Sequence, residues 1–167
     1  MEADERCALC GEVCPFCDKH TFEARFLLDT EEAYAMFSFW PVAPYHALII
    51  PHRHVENEST LNSREILSIF KVKEELVRLI KQKTGLEAYN FGVNVGMAAG
   101  QTVPHLHYHI IFRQRGDVPD PKGGVRNVLP GKEYPAPEMK QIEEVQQWTD
   151  EFRSFLRPHS REQSSSG

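Results

Sequence analysis

Alternating apolar and polar positions predict five short β-strands along the chain. Two apolar runs flank the acidic turn DTEE within residues 24–39, a pattern typical of a β-hairpin. HALIIP predicts a third strand over residues 46–51, and Pro51 ends it because proline tolerates a strand end but not its centre. AYNFGVNV and HLHYHIIF predict the fourth and fifth strands, over residues 88–95 and 105–112.

Apolar residues at helical spacing predict two helices. The first begins at Asn62, which has capping-box spacing to Glu65, and it ends at the stop signal of Gly85. Its apolar face is predicted to contain Ile66, Ile69, Phe70, Leu76, Val77 and Ile80. The second, amphipathic helix is predicted over residues 137–157. Short strands, helices and short connections together predict an α+β fold with an antiparallel sheet.

Composition places the chain among globular proteins with one core. It has 167 residues, 41% of them hydrophobic, so we predict a single domain over residues 1–157. Residues 158–167 contain REQSSSG, and we expect them to form a disordered tail. The net charge of -5, without a basic cluster, argues against long nucleic acid as a partner, because such binding uses many Lys and Arg contacts to phosphates. A small anionic ligand needs only a local pocket.

Hydropathy and the first residues of the chain predict a cytoplasmic protein. MEADERCALCGE is acidic and polar, without the basic and apolar regions of a signal peptide. No apolar run approaches the roughly 18 residues of a membrane span. We therefore expect a cytoplasmic location and no membrane partner.

The stretch HLHYHII has three interpretations: a half-buried strand, a metal site or a catalytic row of histidines. In a strand, His105, His107 and His109 share one face, with neighbours roughly 6.6 Å apart. This spacing fits imidazoles that act along an extended substrate. It does not fit three nitrogens on one metal, which requires bonds of about 2.0–2.1 Å. The pattern therefore favours the catalytic row.

The loop GMAAGQTVP before the histidines predicts a phosphate site. Backbone N–H groups around Gly96 and Gly100 can line an anion-binding concavity, and the side chains of Gln101 and Thr102 add donors. An ordinary glycine-containing connection is the alternative. Next to three histidines phosphate is favoured, because a neutral imidazole is a competent nucleophile toward phosphorus. The chemistry expected is nucleotidyl transfer: one histidine attacks, and the leaving group departs with a proton.

The four cysteines lie close together, as CALC and CPFC between positions 7 and 17. Such crowding is a poor disulfide framework and in a cytosolic protein indicates metal binding. The four thiols can form a zinc knuckle by themselves, with Cys7 and Cys10 as ligands. A thioredoxin-like redox pair is a further alternative, but no strand precedes the motif as that chemistry requires.

With GQTVPHLHYHII and PVAPYHALIIPHRHVEN, the chain resembles the histidine triad (HIT) superfamily, whose signature is His-φ-His-φ-His-φ-φ with φ apolar. The resemblance covers residues 14–115. It implies the HIT fold, a five-stranded antiparallel sheet with one long helix, usually paired into a homodimer; here a C-terminal helix follows. It also implies a nucleotide hydrolase or nucleotidyl transferase that attacks the α-phosphate of a substrate such as a dinucleoside polyphosphate, through a covalent nucleotidyl-histidine.

The resemblance implies roles for residues at the matching positions. His107, the middle histidine, is the nucleophile, and His109 is a second catalytic residue that contacts or orients the phosphate. The other residues implied to bind the nucleotide or its phosphate are Asn94, Gln101, Thr102 and His46. Members often carry Asp or Asn for the ribose hydroxyls before the Pro-rich turn, whereas here the nearest polar candidate is Ser38.

CPFC resembles the zinc-carrying branch of the superfamily. By motif position, this implies a structural zinc ion bound by Cys14, Cys17, His54 and His105. Two thiolates and two imidazoles form a closed tetrahedral set. In that arrangement His105 leaves the catalytic row and becomes a metal ligand.

Other functions are compatible with the same motifs. A nucleotide-binding or interaction module with little turnover keeps the fold, although an intact His107 argues against it. A nucleoside phosphoramidase is another alternative. A hexose-1-phosphate nucleotidyl transfer enzyme is disfavoured because such chains are longer and differ at the third histidine. The sequence does not distinguish the base, the number of phosphates, or water from phosphate as the acceptor.

Overall fold

The computed structural model describes residues 14–17, 25–119, 121 and 139–159. Five strands form one sheet: β1 (Phe26–Asp29), β2 (Ala33–Phe37), β3 (Ala47–Pro51), β4 (Ala88–Val93) and β5 (Tyr108–Arg113). Two helices accompany it: α1 (Ser63–Thr84) and α2 (Met139–His159). The predicted α+β fold is confirmed. Residues 160–167, most of the predicted tail, lie outside the described residues, whereas α2 continues through His159.

Two strand boundaries differ from the prediction. The fourth strand ends at Val93, so Asn94 lies in the loop that follows it. The fifth begins at Tyr108, so His105 and His107 precede the strand, and the N–H of Leu106 donates to the Val55 carbonyl at 2.6 Å. This hydrogen bond to a loop takes the place of a sheet partner for the residues just before β5.

The sheet order places β5 in the interior and β4 at one edge. The strands follow the order β1-β2-β3-β5-β4, and all neighbours are antiparallel. His109 lies opposite Leu48 of β3 and Gly92 of β4. The backbone of His109 therefore lies between two paired strands, which is a rigid position from which to carry a functional side chain.

The two faces of the sheet carry different partners. Alternate residues point to opposite faces of a strand, so Ala35 and Ile49 join the main core with Leu76 of α1. On the other face, a smaller cluster contains Cys14, Phe16, Tyr34, Met36, Leu48 and Ile50. Since His109 is paired with Leu48, the histidines lie on the face that α1 does not cover.

Helix α1 has the predicted ends. The side chain of Asn62 accepts from the N–H of Glu65 at 3.0 Å, and the Glu65 carboxylate accepts from the N–H of Asn62 at 2.8 Å. Gly85 ends the helix in the left-handed region, at φ 78°. Two hydrogen bonds of 2.7 Å from the Arg53 guanidinium also hold Glu65, which is 1% exposed. The start of α1 is thereby tied to the loop after β3.

The apolar face of α1 is rotated relative to the prediction. Ile69, Leu76 and Ile80 are buried as expected, but Ile66 and Phe70 are 42% and 48% exposed. The buried face instead includes Val72 and Leu79 together with Glu65, whose burial is compensated by its ion pair with Arg53. Within the described part of the chain, neither helix has the length and apolar content needed to span a membrane.

Candidate active site and metal centre

His107 is held in one tautomer by the backbone of His105. Its Nδ1 lies 2.8 Å from the carbonyl oxygen of His105, and a carbonyl only accepts, so the proton is on Nδ1. The lone pair is then on Nε2. The residue is 6% exposed, and burial lowers the pKa of His107, which keeps the ring neutral at neutral pH. A neutral imidazole with an available lone pair is the form that can attack phosphorus.

His46 and His109 form a hydrogen-bonded pair beside it. The N–H of Val42 donates to Nδ1 of His46 at 3.3 Å, and from this contact we assign the proton of the neutral His46 ring to Nε2. That Nε2 lies 3.0 Å from Nδ1 of His109, which accepts the hydrogen bond. His109 consequently carries its own proton on Nε2. The pair turns His109 into a neutral hydrogen-bond donor.

Burial keeps both rings uncharged. It lowers the pKa of His46 to about 3 and the pKa of His109 to about 4, and the neighbouring histidines lower both values further. The rings of His107 and His109 are 5.0 Å apart between centroids. A nucleophilic nitrogen therefore lies next to an N–H donor, an arrangement that can attack a phosphorus atom while bonding one of its oxygens.

The glycine loop is closed by a side chain that was predicted to bind phosphate. Gly96 and Gly100 adopt positive φ angles of 83° and 88°, on either side of a 3₁₀ turn over Met97–Ala99. The Gln101 amide accepts from the N–H of Gly96 at 2.7 Å and donates to the carbonyl of Glu56 at 3.0 Å. Both ends of the Gln101 amide are thus engaged within the loops.

The other predicted nucleotide-binding residues lie near these loops and differ in their exposure and hydrogen bonding. Thr102 is exposed, and Asn94 is half-buried just after β4. Ser38 is 4% exposed, and its hydroxyl oxygen accepts from the N–H of Trp40 at 3.2 Å. Its backbone N–H donates to the His46 carbonyl at 2.8 Å. Ser38 therefore shapes the turn that carries His46, and its hydroxyl proton stays available as a donor.

Four potential metal ligands converge beside His107: Cys14, Cys17, His54 and His105. Their ligand atoms all lie within 4.8 Å of one another. Cys17 Sγ is 3.2 Å from Nδ1 of His54 and 3.4 Å from Nδ1 of His105, and Cys14 Sγ is also 3.4 Å from the latter atom. Bonds of about 2.0–2.3 Å to one tetrahedral ion give ligand separations of roughly 3.3–3.8 Å. This cluster can hold a metal ion.

The surroundings of the cluster fix which imidazole nitrogen faces it. Nε2 of His105 donates to the carbonyl of Pro51 at 2.9 Å, so Nδ1 keeps the lone pair. Burial lowers the pKa of His105 to about 4, which keeps that lone pair available. A turn closed by the Cys17 N–H and the Cys14 carbonyl, at 3.0 Å, brings the two thiols together. Two thiolates and two imidazoles are the donor set of a closed zinc site.

The alternative ligands Cys7 and Cys10 lie outside the described residues. Sequence reasoning also missed three contributors to the site. The N–H of Val42 and the carbonyl of Pro51 set histidine tautomers, and no side-chain pattern reports such backbone contacts. The third is Phe16, whose ring contacts both His105 and His107. Its place between the two cysteines of CPFC was the available signal.

Sequence comparison connects this geometry to known proteins. The Schizosaccharomyces pombe protein named bis(5'-nucleosyl)-tetraphosphatase (asymmetrical) is 35% identical over 88 residues, which are 53% of this chain and 48% of that protein. The Saccharomyces cerevisiae protein named bis(5'-adenosyl)-triphosphatase is 40% identical over 83 residues, 49% of this chain and 40% of that protein. The chain therefore spans less than half the length of these two relatives.

Other matches extend over most of both chains. A HIT-like protein of Methanocaldococcus jannaschii is 34% identical over 119 residues, 70% of this chain and 92% of that protein. The crystal structure of a hypothetical histidine triad nucleotide-binding protein from Sulfolobus tokodaii superposes with a TM-score of 0.62 at 28% identity, over 86% of this chain and 94% of that chain. The HIT domain model matches residues 19–116, which contain all five strands, α1 and the three alternating histidines, and the chain accordingly belongs to the HIT domain family.

Proposed function

We propose that this protein hydrolyses or transfers the nucleoside monophosphate group of a nucleotide phosphoanhydride, such as a dinucleoside polyphosphate. The observation that carries the proposal is the pairing of the His107 lone pair with the His109 N–H at the start of β5, an interior strand of the sheet. The names of the yeast relatives, a tetraphosphatase and a triphosphatase of dinucleosides, support this substrate class.

The proposed reaction has two displacement steps. Nε2 of His107 attacks the α-phosphorus, the bond from that phosphorus to its bridging oxygen breaks, and this oxygen departs with the bonding electrons and takes up a proton from solvent, which the attacking water returns in the second step. The nucleotidyl group is then covalently bound to His107. Water, or phosphate as the alternative acceptor, attacks the same phosphorus, breaks the N–P bond and restores the neutral imidazole. In both steps the N–H of His109 bonds a non-bridging oxygen, where negative charge concentrates.

The remaining polar groups are proposed to bind the substrate. Thr102 is exposed beside the histidines, and together with Asn94 it supplies hydrogen bonds to the phosphate side. For Gln101 the same role requires its amide to leave Gly96 or Glu56. The hydroxyl of Ser38 is the proposed donor to the ribose.

We also assign the protein to the zinc-carrying branch of the family, with a structural zinc ion at Cys14, Cys17, His54 and His105. The donor set and ligand separations support this assignment. When bound, zinc supplies a rigid crosslink between the CPFC turn and the residues before β5, and all four of its positions are taken by protein ligands. The nucleophile and its donor lie outside this set.

The wider organisation is proposed to follow the family. Residues 1–157 form one HIT domain that carries the zinc-binding segment, and two copies pair into a homodimer in the cytoplasm. The edge position of β4 and the exposed apolar residues of α1 support pairing, because a strand whose outer edge has no partner among the described residues, beside an apolar helix face, is a surface that associates.

The direct test is product analysis with purified protein. Diadenosine tetraphosphate, diadenosine triphosphate and adenosine phosphoramidate are each incubated with the wild type, with His107→Ala and with His52→Gln. We expect the wild type to release adenosine monophosphate and His107→Ala to be at least about 1000-fold slower. His52→Gln is the matched control because its imidazole bonds Asp29 and Thr30, away from the catalytic pair.

Adding inorganic phosphate identifies the acceptor, since attack by phosphate yields adenosine diphosphate in place of the monophosphate. Equal inactivity of the wild type and His107→Ala on all three substrates contradicts the enzymatic proposal and leaves a binding module. Activity confined to the phosphoramidate establishes the phosphoramidase instead.

A further inference from the structure

Phe16 lies between the metal cluster and the nucleophile. It occupies the turn between Cys14 and Cys17, and its side chain is 8% exposed. Its ring centroid is 5.8 Å from that of His105, at an interplanar angle of 80°. It is 5.1 Å from that of His107, at 62°. One phenyl ring thus contacts a metal-ligand imidazole and the catalytic imidazole in edge-to-face geometry.

The backbone of Phe16 is anchored independently of its ring. The Tyr34 hydroxyl donates to the Phe16 carbonyl at 3.1 Å, and Tyr34 is 1% exposed on the interior strand β2. The turn itself is closed by the Cys17 N–H. The ring also packs in the smaller cluster with Met36, Leu48 and Ile50. Its position is therefore set from the sheet and from the turn.

The orientation of His107 needs support besides its hydrogen bond. The bond from Nδ1 to the His105 carbonyl constrains one point of the ring, and that carbonyl belongs to the loop before β5. Rotation about this contact changes the direction of the Nε2 lone pair. Two rings restrict that rotation, those of Phe16 and His109, at 5.1 Å and 5.0 Å. A phenyl ring offers no acceptor, so it restrains the imidazole without competing for Nε2.

We propose that Phe16 is a positioning residue for His107. The CPFC turn, anchored through its two thiols, presses the ring edge against the imidazole and sets the direction in which the lone pair points. The metal ligands and the nucleophile are thereby linked through one apolar side chain. This inference rests on the proposed function for its kinetic consequence, whereas the placement of the His107 ring is observable without turnover.

The experiment compares Phe16→Leu with Phe26→Leu. Phe26 packs against the same smaller cluster and stacks on Tyr34 at 4.2 Å, and its ring has no ring contact with His107 or His109. For Phe16→Leu we expect kcat to fall about tenfold while KM stays within about twofold, because a misdirected nucleophile slows the chemical step and leaves substrate binding unchanged. Phe26→Leu should keep both constants near wild type.

Two readouts do not depend on activity. Zinc content is measured for each variant and should equal that of the wild type, since the thiols and imidazoles are untouched. In protein labelled with carbon-13 at histidine Cε1, the His107 resonance, assigned by its absence in His107→Ala, should be a single sharp signal in the wild type. In Phe16→Leu it should show exchange broadening by relaxation dispersion, while the His46 signal stays sharp.

Three results would contradict the proposed role of Phe16 or the proposed function on which its kinetic consequence rests. A sharp His107 signal together with equal kcat in the two leucine variants overturns the proposal. Loss of zinc from Phe16→Leu also overturns it, because Phe16 would then be a structural part of the metal site. If His107→Ala retains full activity, the proposed function fails, and the resonance of His107 alone decides whether Phe16 positions that ring.

Discussion

At the scale of single residues, hydrogen bonds assign a proton to each histidine of the site. The N–H of Val42 makes His46 a donor at Nε2, and this makes His109 a donor in turn. The carbonyl of His105 does the opposite for His107, whose Nε2 keeps its lone pair. The neutral rings thus differ: His107 keeps a lone pair on Nε2 and His109 carries an N–H donor there, and backbone groups and a neutral imidazole set this difference.

This arrangement makes stability depend on pH through His46. Burial lowers the pKa of His46 from 6.5 to about 3 in the folded protein. Below pH 6.5 the unfolded chain therefore binds a proton that the folded chain does not. As the pH is lowered from 6.5 to about 3, the free energy of unfolding consequently decreases. We expect His46→Asn, whose oxygen still accepts from Val42, to show a slope shallower by about 1.4 kcal/mol per pH unit between pH 6 and 4. Urea unfolding at a series of pH values measures this slope for each protein. If the free energies of unfolding of the wild type and His46→Asn depend on pH in parallel, the lowered pKa of His46 is contradicted.

At the scale of elements, the start of α1 depends on a buried carboxylate. Hydrogen bonds from Arg53 hold the pKa of Glu65 below its usual 4.5. The ionised carboxylate therefore contributes its full stabilisation of the fold above pH 4.5, and this stabilisation is lost as the pH falls through the lowered pKa. We expect Glu65→Gln to reduce the free energy of unfolding at pH 7 by roughly 1.5–3 kcal/mol. Glu75→Gln is the control, because its ion pair with Arg78 is exposed and contributes below about 0.5 kcal/mol. Equal losses of unfolding free energy for Glu65→Gln and Glu75→Gln in denaturant titrations contradict a stabilising role for the ion pair of Glu65 with Arg53.

The CPFC turn is the second element with a measurable role. If zinc is bound as proposed, Cys14→Ser and Cys17→Ser should lose it, and a chelator should lower the melting temperature of the wild type because metal binding contributes to folding. Cys7→Ser and Cys10→Ser are matched controls that should retain the metal. Elemental analysis by mass spectrometry decides this. Stoichiometric zinc in Cys14→Ser, or loss only with Cys7→Ser, contradicts the ligand set.

Local patterns predicted the elements well, whereas long-range contacts decided their orientation. Alternation and capping located the strands and both ends of α1 within a few residues. The rotation of α1 could not be predicted, because it buries the charged Glu65, which only the long-range ion pair with Arg53 compensates, and leaves Ile66 exposed. The resemblance to the zinc-carrying branch likewise named the four potential metal ligands that lie together, but the contact between Phe16 and His107 joins residues that only the folded sheet makes neighbours.

At the scale of the whole molecule, the exposed side of α1 and the edge strand β4 form one surface. Phe70 packs edge-on against Phe91 of β4 at 6.1 Å, and Leu67 beside it is 60% exposed. Lys71, Glu74 and Arg78 place both signs of charge along the same side, which permits a two-fold related copy to pair with it.

We expect the wild type to sediment as a dimer, and Leu67→Glu to shift it to a monomer because a buried carboxylate disfavours the interface. Trp40→Ser, which removes another exposed apolar side chain, 47% exposed and outside α1, should remain dimeric. Analytical ultracentrifugation over a range of concentrations measures this. A wild type that stays monomeric, or a dimer unaffected by Leu67→Glu, contradicts the proposed pairing.

The closure of the glycine loop by Gln101 determines which positions of this loop can accept amino-acid substitutions. The amide ties Gly96 to Glu56, and the positive φ angles restrict positions 96 and 100 to glycine, so the neck of the loop permits little substitution. The tip is unconstrained by comparison: Met97 is 91% exposed. We therefore expect substitutions at Met97 to leave the histidines undisturbed, so that the outer surface of this loop can vary in composition while the positions of His107 and His109 stay fixed.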